Sequence, residues 1–400
     1  MKKKLLLLGG SVYLIPVIAA AHAMGIHVIT CDYLPDNLAH PYADEYHNVS
    51  IVEKRAVLEL ASALKIDGVM SFATDPGVTT AAYVAEKLGL PSCGSYEAVS
   101  ILQNKGLFRA FLRDHGFHTP LARSYIDAAT ALSDLDGFHW PLIVKPTDSA
   151  GSKGIQRVDR PEELDAAIKS ALHSSIKKEF IIEEFIEANG YSSDSDCFSV
   201  DGKLCFTSFS DQHFDRKAEN PYTPSAYSWP CTMSAEQQTE LQSELQRLIR
   251  LLGLGTSLYN FETRIGMDGT PYIMEVSPRG GGNCLSECLR FATGTDLITA
   301  AVKAAIGLPV EVSQTPIDGY WGELILHANQ DGAFEGVTVS DETKYNLIRL
   351  TPWEKKGAPV FSFTGANKAI GTALFRFDTR EELNRLMANP ERFVSVRVRP

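Results

Sequence analysis

Two glutamates, Glu262 and Glu275, have the spacing that most directly suggests chemistry in this sequence. Within residues 259–283 they lie in two apolar-rich runs on either side of Asp268-Gly269. Asp-Gly between such runs is the strongest short-range signal for a hairpin with a two-residue type I′ loop. Counting outward from that loop places Glu262 directly opposite Glu275, with their Cβ atoms roughly 4.5–5.5 Å apart on one face of the sheet. Two carboxylates at that distance repel each other, so the pairing needs an explanation.

A divalent cation between the two glutamates would provide that explanation. Mg²⁺ prefers hard oxygen ligands such as carboxylates, so the sequence predicts a Mg²⁺ site at Glu262 and Glu275, with Mn²⁺ as an alternative ion. The opposite interpretation is that both side chains face solvent and that their pairing is accidental. The following residues favour the metal site, because Ser277 adds a polar side chain, Arg279 adds a positive charge, and the glycines at 280–282 let a backbone approach a ligand closely.

Two lysines and a loop of small residues precede the glutamates. Lys145 ends the apolar segment 140–146, where a phosphate is a natural partner for its charge. The backbone N–H groups of residues 147–154 can fold over phosphates, although a plain flexible hairpin is the alternative. This loop is not a Walker sequence, because no Gly-Lys-Ser/Thr ends it. Lys105 opens a predicted helix, where a solvated lysine is the ordinary interpretation.

In this chain order, these features resemble the ATP-grasp superfamily, with an ATP-binding core similar to carboxylate-amine ligases, carbamoyl-phosphate synthase and biotin carboxylase. The resemblance covers mainly residues 100–305. It implies that Glu262 and Glu275 hold Mg²⁺ bridging the nucleotide phosphates, and that Arg279 meets the γ-phosphate or an acyl phosphate. The family usually has Asn where this chain has Ser277, so a third metal ligand at Ser277 would be a hydroxyl group.

The resemblance also implies how ATP is held. Lys105 would reach the α-phosphate, and Lys145 would act with Arg279 on the reacting phosphoryl group. The segment 180–186 would be the hinge between the two halves of the fold, with Glu183 accepting a hydrogen bond from the adenine amino group. The implied nucleotide contacts are Lys105, Lys145, Ser149, Gly151, Ser152, Gly154, Glu183, Glu184, Phe185, Ile186, Glu187 and Ser192.

The ribose-binding residue stays open at this point. The family places a second acid a few residues after the hinge, but no glutamate stands at that spacing in this chain. Glu187, Asp194 and the weaker candidate Ser192 are the alternatives.

The elements that position these residues are predicted to form a mixed α/β and α+β multidomain fold. Segments 4–8, 12–24 and 26–30 alternate strand, helix and strand, and the alternation continues to residue 88, which predicts an open parallel sheet. The predicted domains are an N-terminal α/β domain at 1–98, an ATP-grasp domain at 99–307 with a flexible lid subdomain at about 115–187, and a small β-rich domain at 308–400.

Residues 211–231 have no clear periodicity and are predicted to form a long loop on the substrate side. His213 in this segment is interpreted as structural or solvated rather than as a general base.

Composition limits the location and the partners of the protein. The formal net charge of −11 makes a nucleic-acid or anionic-membrane surface an unsuitable partner, and small molecules fit better. Seven cysteines without Cys-x-x-Cys spacing indicate a reducing compartment. The N-terminus imitates a signal peptide, but the glycines at 9–10 interrupt it and a strand follows, so a cytoplasmic protein is expected. The sequence leaves the oligomeric state open, with a homodimer as one candidate.

The resemblance implies an ATP- and Mg²⁺-dependent ligase that forms C–N bonds. Such an enzyme activates a small carboxylate, here an amino acid or a related acid, as an acyl phosphate that an amine attacks, and it releases ADP and phosphate. Two alternatives stay open: a carboxylating enzyme that uses bicarbonate, and a nucleotide sensor without catalysis.

Overall fold

A computed structural model describes residues 2–149 and 151–400 of the chain. Ala150, in the predicted phosphate loop, lies outside the described residues. Within the described part, no helix is both long and apolar enough to cross a membrane. The location in the cytoplasm and the oligomeric state stay predictions.

The described residues form strands and helices along the whole chain. The strands are β1 (Lys4–Leu8), β2 (His27–Cys31), β3 (Glu45–His47), β4 (Gly68–Ser71), β5 (Ala122–Tyr125), β6 (Leu142–Pro146), β7 (Gln156–Val158), β8 (Phe180–Glu184), β9 (Ser193–Val200), β10 (Lys203–Thr207), β11 (Asp211–Phe214), β12 (Pro224–Trp229), β13 (Ser257–Ile265), β14 (Pro271–Ser277), β15 (Tyr320–Leu326), β16 (Gly332–Val339), β17 (Leu347–Pro352), β18 (Pro359–Val360), β19 (Gly371–Phe377) and β20 (Val394–Arg399). The helices are α1 (Ile15–Ala23), α2 (Lys54–Leu64), α3 (Asp75–Leu88), α4 (Tyr96–Gln103), α5 (Lys105–Asp114), α6 (Ala128–Ser133), α7 (Leu164–Ser174), α8 (Ala235–Leu251), α9 (Leu285–Thr293), α10 (Leu297–Ala305), α11 (Arg380–Ala388) and α12 (Pro390–Phe393).

The first sheet is parallel and has the strand order β3-β2-β1-β4. Its inner strand β1 is almost wholly apolar and buried, as expected for a strand covered on both faces. The helix α3 begins directly beyond the carboxyl end of β4, so its first turn lies at the edge of the sheet where side chains can reach a ligand. The predicted open parallel sheet is confirmed.

The second sheet carries the hinge strand and has the order β5-β8-β6-β7. Leu142 and Val144 of β6 pack with Leu164 and Ile168 of α7 in one apolar cluster. Because side chains alternate along a strand, this packing turns Lys145 to the opposite face of the sheet. The lysine therefore faces the cleft.

The third sheet carries the two glutamates and has the order β10-β9-β13-β14. The helix α8 packs on it and begins with a capping box formed by Ser234 and Gln237. The turn between β9 and β10 is the two-residue Asp201-Gly202 loop, in which both residues have the positive φ that a type I′ turn requires.

The remaining sheets correct the prediction for residues 211–231. These residues contain β11 and β12, and only 215–223 form a loop between them. The five-stranded sheet has the order β11-β12-β15-β19-β17, and a three-stranded sheet has the order β18-β16-β20. Most of β12 is buried, so its sequence lacks the apolar–polar alternation that reveals a half-exposed strand. The predicted domain boundaries stay a prediction. However, β15 shares its sheet with β11 and β12, which precede the predicted boundary at residue 307.

Candidate active site

A cleft of about 2040 Å³ lies where the four larger sheets meet. Its walls include Asp75 from α3, Lys145 from β6, Glu262 and Glu275 from β13 and β14, and His327 beyond β15. The cleft therefore gathers Lys145, Glu262 and Glu275, which the sequence singled out, with two residues that it did not.

Glu262 and Glu275 are directly opposed, as predicted, but the hairpin reaches that register in another way. The Gly266 N–H donates to the Thr270 carbonyl at 2.8 Å, so the loop has three residues, 267–269, and the predicted two-residue loop is wrong. Gly269 has a φ of +85°, which fits the left-handed position of a three-residue hairpin loop. A β-bulge at Met274 adds one residue to β14 and restores the predicted pairing.

The charge of this glutamate pair is only partly compensated. The side chains of Glu262 and Glu275 are 35% and 36% exposed. The ammonium group of Lys105 lies 3.2 Å from Glu275, and the Arg264 guanidinium lies 4.0 Å from Glu262. Burial lowers the pKa of Lys105, but the charge and hydrogen bond of Glu275, together with the charges of Asp75 and Glu183, outweigh burial and leave that pKa raised. The pair thus keeps negative charge directed into the cleft.

These glutamates fit a divalent cation that shares its ligands with a nucleotide. Among residues 2–149 and 151–400, no group of three His, Cys, Asp or Glu side chains is arranged to hold a metal. Two carboxylates leave most of the six positions around Mg²⁺ free, and Mg²⁺ characteristically fills such positions with phosphate oxygens and water. The donor set therefore suits a metal ion shared with a nucleotide better than a metal held by protein ligands alone.

Ser277 lies in a position that contradicts its predicted use as a third metal ligand. Its hydroxyl donates to Asp75 Oδ1 at 2.8 Å and accepts from Gln103 Nε2 at 2.7 Å. The residue is 1% exposed. Because neighbouring side chains already use its proton and a lone pair, Ser277 supports Asp75 instead of facing the cation.

Arg279 lies in the cleft and is held by a residue that sequence reasoning missed. Its Nε and Nη2 donate to the two oxygens of Asp75 at 2.8 and 2.7 Å. Its Nη1 donates to Asn260 Oδ1 at 3.0 Å and to the Gly280 carbonyl at 2.9 Å. Burial lowers the pKa of Arg279, but Asp75 outweighs it and raises that pKa. Asp75 was not singled out from the sequence, and it lies 204 positions away from its partner.

Lys145 and Arg109 both bind Glu183, which has no solvent exposure. Lys145 Nζ donates to Glu183 Oε2 at 2.9 Å, and Arg109 Nε lies 3.1 Å from Oε1. Arg109 also donates to the Met274 carbonyl at the bulge, at 2.9 Å. Burial raises the pKa of Glu183, but the two cations overcome this and lower it to about 2. Burial lowers the pKa of Lys145.

This arrangement corrects the adenine contact that the resemblance implied for Glu183. Both carboxylate oxygens face cations of the protein, so Glu183 fixes Lys145 instead of offering a free acceptor to the adenine amino group. The buried Arg109 was also missed, because an arginine in an amphipathic helix ordinarily faces solvent.

The hinge segment after β8 lines the cleft, and its backbone is partly engaged. The N–H of Glu184 donates to Leu121 and that of Phe185 to Pro141, both at 2.9 Å. The Ile186 carbonyl accepts from Arg264 Nη1, also at 2.9 Å. The adenine contacts of Glu184, Phe185 and Ile186 stay predictions.

The three ribose candidates have different surroundings. Glu187 is exposed and 2.6 Å from Arg157, whereas Ser192 is buried and accepts from Arg264 Nε at 3.0 Å. Asp194 is opposite Glu262 on β9 and accepts from the Tyr227 hydroxyl at 2.8 Å. Burial raises the pKa of Asp194 to about 7, and Glu262 adds to the rise. Asp194 therefore belongs to the surroundings of the glutamate pair.

The described part of the glycine loop borders the cleft. Ser149 lies near Lys105, whose ammonium group donates to the Ser149 carbonyl at 3.1 Å. Gly151 and Ser152 line the cleft, and Ser152 Oγ donates to the Tyr222 carbonyl at 3.0 Å. Gly154 has a φ of +70°, and a Cβ there would lie 2.6 Å from Ser174 Oγ. Phosphate binding by these residues stays a prediction.

His213 also borders the cleft, on β11. Its Nε2 lies 2.9 Å from Ser228 Oγ, and burial lowers its pKa to about 4. A neutral imidazole held by a strand neighbour agrees with the structural interpretation of this residue.

Two known families match the chain. The ATP-grasp domain family matches residues 138–287, and the ATP-grasp N-terminal domain family matches residues 18–92. The chain belongs to the ATP-grasp superfamily. Both matched ranges contain residues that line the cleft described above.

Individual relatives are distant but cover much of this ATP-grasp chain. It is 25% identical over 311 residues to a formate-dependent phosphoribosylglycinamide formyltransferase from Synechococcus sp. (strain WH7803), with 77% of each chain covered. It is 26% identical over 373 residues to carnosine synthase 1 from Gallus gallus, with 84% of this chain but 38% of the relative covered. An L-amino acid ligase structure from Bacillus licheniformis matches with a TM-score of 0.82 and 21% identity, over 100% of this chain and 99% of that one. The predicted fold is confirmed.

Proposed function

We propose that this protein is an ATP-dependent ligase that joins a small carboxylic acid, such as an amino acid, to an amine and releases ADP and phosphate. The observation that carries the proposal is the opposed pair Glu262–Glu275, whose negative charge faces a cleft that also gathers Lys105, Lys145 and Arg279. The names of two relatives, a carnosine synthase and an L-amino acid ligase, support C–N bond formation.

Glu262 and Glu275 would hold Mg²⁺, or Mn²⁺ in its place, together with the nucleotide phosphates. The ion would neutralise charge on the transferred phosphoryl group. Lys105 borders this pair, and Lys145 lies on the opposite sheet, so the chain supplies positive charge from two sides of the cleft. Lys145 keeps its position because Glu183 is fixed by Arg109.

The reaction would proceed in two substitutions. A carboxylate oxygen of the acid attacks the γ-phosphorus of ATP, and ADP leaves with the electrons of the broken P–O bond. The amine nitrogen then attacks the acyl carbon, the C–O bond to phosphate breaks, and the amine loses a proton to solvent. No side chain needs to act as a nucleophile, so positioning and electrostatic stabilisation carry most of the rate.

The test is a screen of carboxylic acids and amines by phosphate release with Mg·ATP. A matched acid should stimulate formation of ADP, and hydroxylamine should trap the acyl phosphate as a hydroxamate. Formation of AMP and pyrophosphate would contradict the mechanism. Turnover that requires bicarbonate and no amine would favour the carboxylating alternative, and ATP binding without phosphate release would favour a sensor.

A further inference from the structure

Asp75, in the first turn of α3 beside the first sheet, binds the predicted phosphate-binding arginine Arg279. Its two oxygens accept from Nε and Nη2 of Arg279 at 2.8 and 2.7 Å, which is a bidentate ion pair. Its Oδ1 also accepts from the Ser277 hydroxyl at 2.8 Å. Burial raises the pKa of Asp75, but Arg279 outweighs it and leaves that pKa lowered. Asp75 is therefore ionised and fully engaged.

The backbone before Asp75 is built to reach the arginine segment. Ala73 has a φ of +52°, an unfavourable value for a residue with a side chain, and its N–H donates to the Gly280 carbonyl at 3.2 Å. A Cβ at Gly280 would lie 2.3 Å from the Phe72 ring, so only glycine allows this approach. Residues 72–75 thus dock as a unit on residues 277–280, more than 200 positions away.

These contacts leave Arg279 with one direction in which to act. Hydrogen bonds to Asp75, Asn260 and Gly280 use four of the five N–H groups of its guanidinium. The remaining N–H belongs to Nη2, and Arg279 lines the cleft. A guanidinium held in this way cannot rotate to bind a phosphate in a bidentate manner.

We infer that Asp75 is a positioning residue for phosphoryl transfer, which aims the one remaining Nη2 N–H of Arg279 at the reacting anion. This inference rests on the proposed ligase function. It makes the first sheet part of the chemical step, because a carboxylate on α3 sets the orientation of a cation on the β14 side of the cleft. Ser277 serves the same purpose, since it orients Asp75.

Steady-state kinetics of the full chain tests the inference. Asp75→Asn keeps the shape of the side chain but loses its charge and one acceptor, so kcat should fall about 10²-fold while the KM for Mg·ATP changes by less than about threefold. In an Arg279→Lys background, Asp75→Asn should lower kcat by no more than about twofold, because the guanidinium that Asp75 orients is already absent. A full multiplicative loss in the double variant would overturn the inference.

Asp32→Asn is the matched control. Asp32 is a buried carboxylate that directly follows β2 of the same sheet, and it accepts from the Leu34 N–H at 3.1 Å. This variant should keep the wild-type kcat. Equal losses in Asp75→Asn and Asp32→Asn would show a general effect on the first sheet and overturn the inference. If Asp75→Asn does not fold, Asp75→Glu is tested instead, because this variant keeps the negative charge but displaces the Arg279 guanidinium. An unchanged kcat in Asp75→Glu would contradict the positioning role.

A second readout separates this inference from the ligase proposal. Phenylglyoxal modification of Arg279, followed by peptide mass spectrometry, requires no turnover. It should be several-fold faster in Asp75→Asn than in wild type and unchanged in Asp32→Asn. A wild-type protein without acid-dependent ADP formation would contradict the ligase proposal alone, whereas equal modification rates in Asp75→Asn and wild type would contradict the positioning role.

Discussion

Two groups of carboxylates in the cleft differ in how their charge is met. Glu183 is fully buried, and Lys145 and Arg109 lie 2.9 and 3.1 Å from its oxygens. Glu262 and Glu275 oppose each other, and about a third of each side chain is exposed, at 35% and 36%. A carboxylate neutralised by the protein holds the site together, whereas a pair that keeps its charge can bind a ligand. The difference distinguishes an acid that the protein itself neutralises from acids that remain available to a ligand.

The largest expected effect tests the open pair. Glu275→Gln removes one charge from the proposed metal site, so Mg²⁺-dependent ATP turnover should fall by roughly 10²–10³-fold or more, as when a main electrostatic contact is lost. Phosphate release measures this effect, and circular dichroism should show an unchanged fold. Near-wild-type turnover in this variant would contradict the metal assignment.

The next effect tests the neutralised acid. Glu183→Gln leaves Lys145 and Arg109 buried without their counter-charge, which should cost about 3–5 kcal/mol of unfolding free energy. Glu187→Gln is the control, because Glu187 pairs with Arg157 at the surface and exposed pairs contribute at most about 1 kcal/mol. Urea unfolding compares the two variants. Equal losses of unfolding free energy would contradict a stabilising role for the ion pairs of Glu183.

The stability contributed by Glu183 should also depend on pH. Its pKa is lowered from 4.5 to about 2 in the folded protein. The contribution is therefore complete above about pH 4.5 and is lost as the pH falls towards 2. A shift of this size corresponds to about 3 kcal/mol, so the difference in unfolding free energy between wild type and Glu183→Gln should narrow over that interval. A constant difference would contradict the ion pairs.

The smallest effect concerns the opposed glutamates without metal. Glu262→Gln relieves a like-charge pair whose compensating guanidinium is 4.0 Å away, so the metal-free protein should gain about 0.2–1 kcal/mol of stability. With Mg·ATP, wild type should be stabilised and this variant should not, because binding to the folded state raises the melting temperature. Thermal melts in both conditions measure this. Equal stabilisation of both proteins would place the metal elsewhere.

The sequence predicted those parts of the molecule that depend on local patterns. The apolar run at 4–8 became the buried strand β1, and Asn104 caps α5 at the predicted helix start. The opposition of Glu262 and Glu275 was also correct, although an unpredicted three-residue loop and a bulge at Met274 offset each other. A bulge depends on tertiary packing, such as the contact of Arg109 with the Met274 carbonyl.

The partners of the predicted cations could not be read from the sequence. Asp75 contacts Arg279, which is 204 positions away, and Arg109 on α5 contacts Glu183 on β8. No local spacing encodes such contacts, because they arise only when separate elements pack. The resemblance therefore supplied plausible roles for Glu183 and Ser277, while the packing around each side chain assigned different ones.

The pairing of β12 with β15 limits how the chain can be divided. The four residues Ala226–Trp229 pair with Trp321–Leu324, so a chain shortened to residues 1–307 would keep β11 beside β12 but lose β15 from its other edge. The bare edge would present unpaired backbone groups along buried side chains, a template for self-association. Such a fragment should aggregate even though it contains every cation and carboxylate of the proposed ATP site. We therefore expect β15, in the C-terminal segment, to prevent aggregation by pairing with the exposed edge of β12.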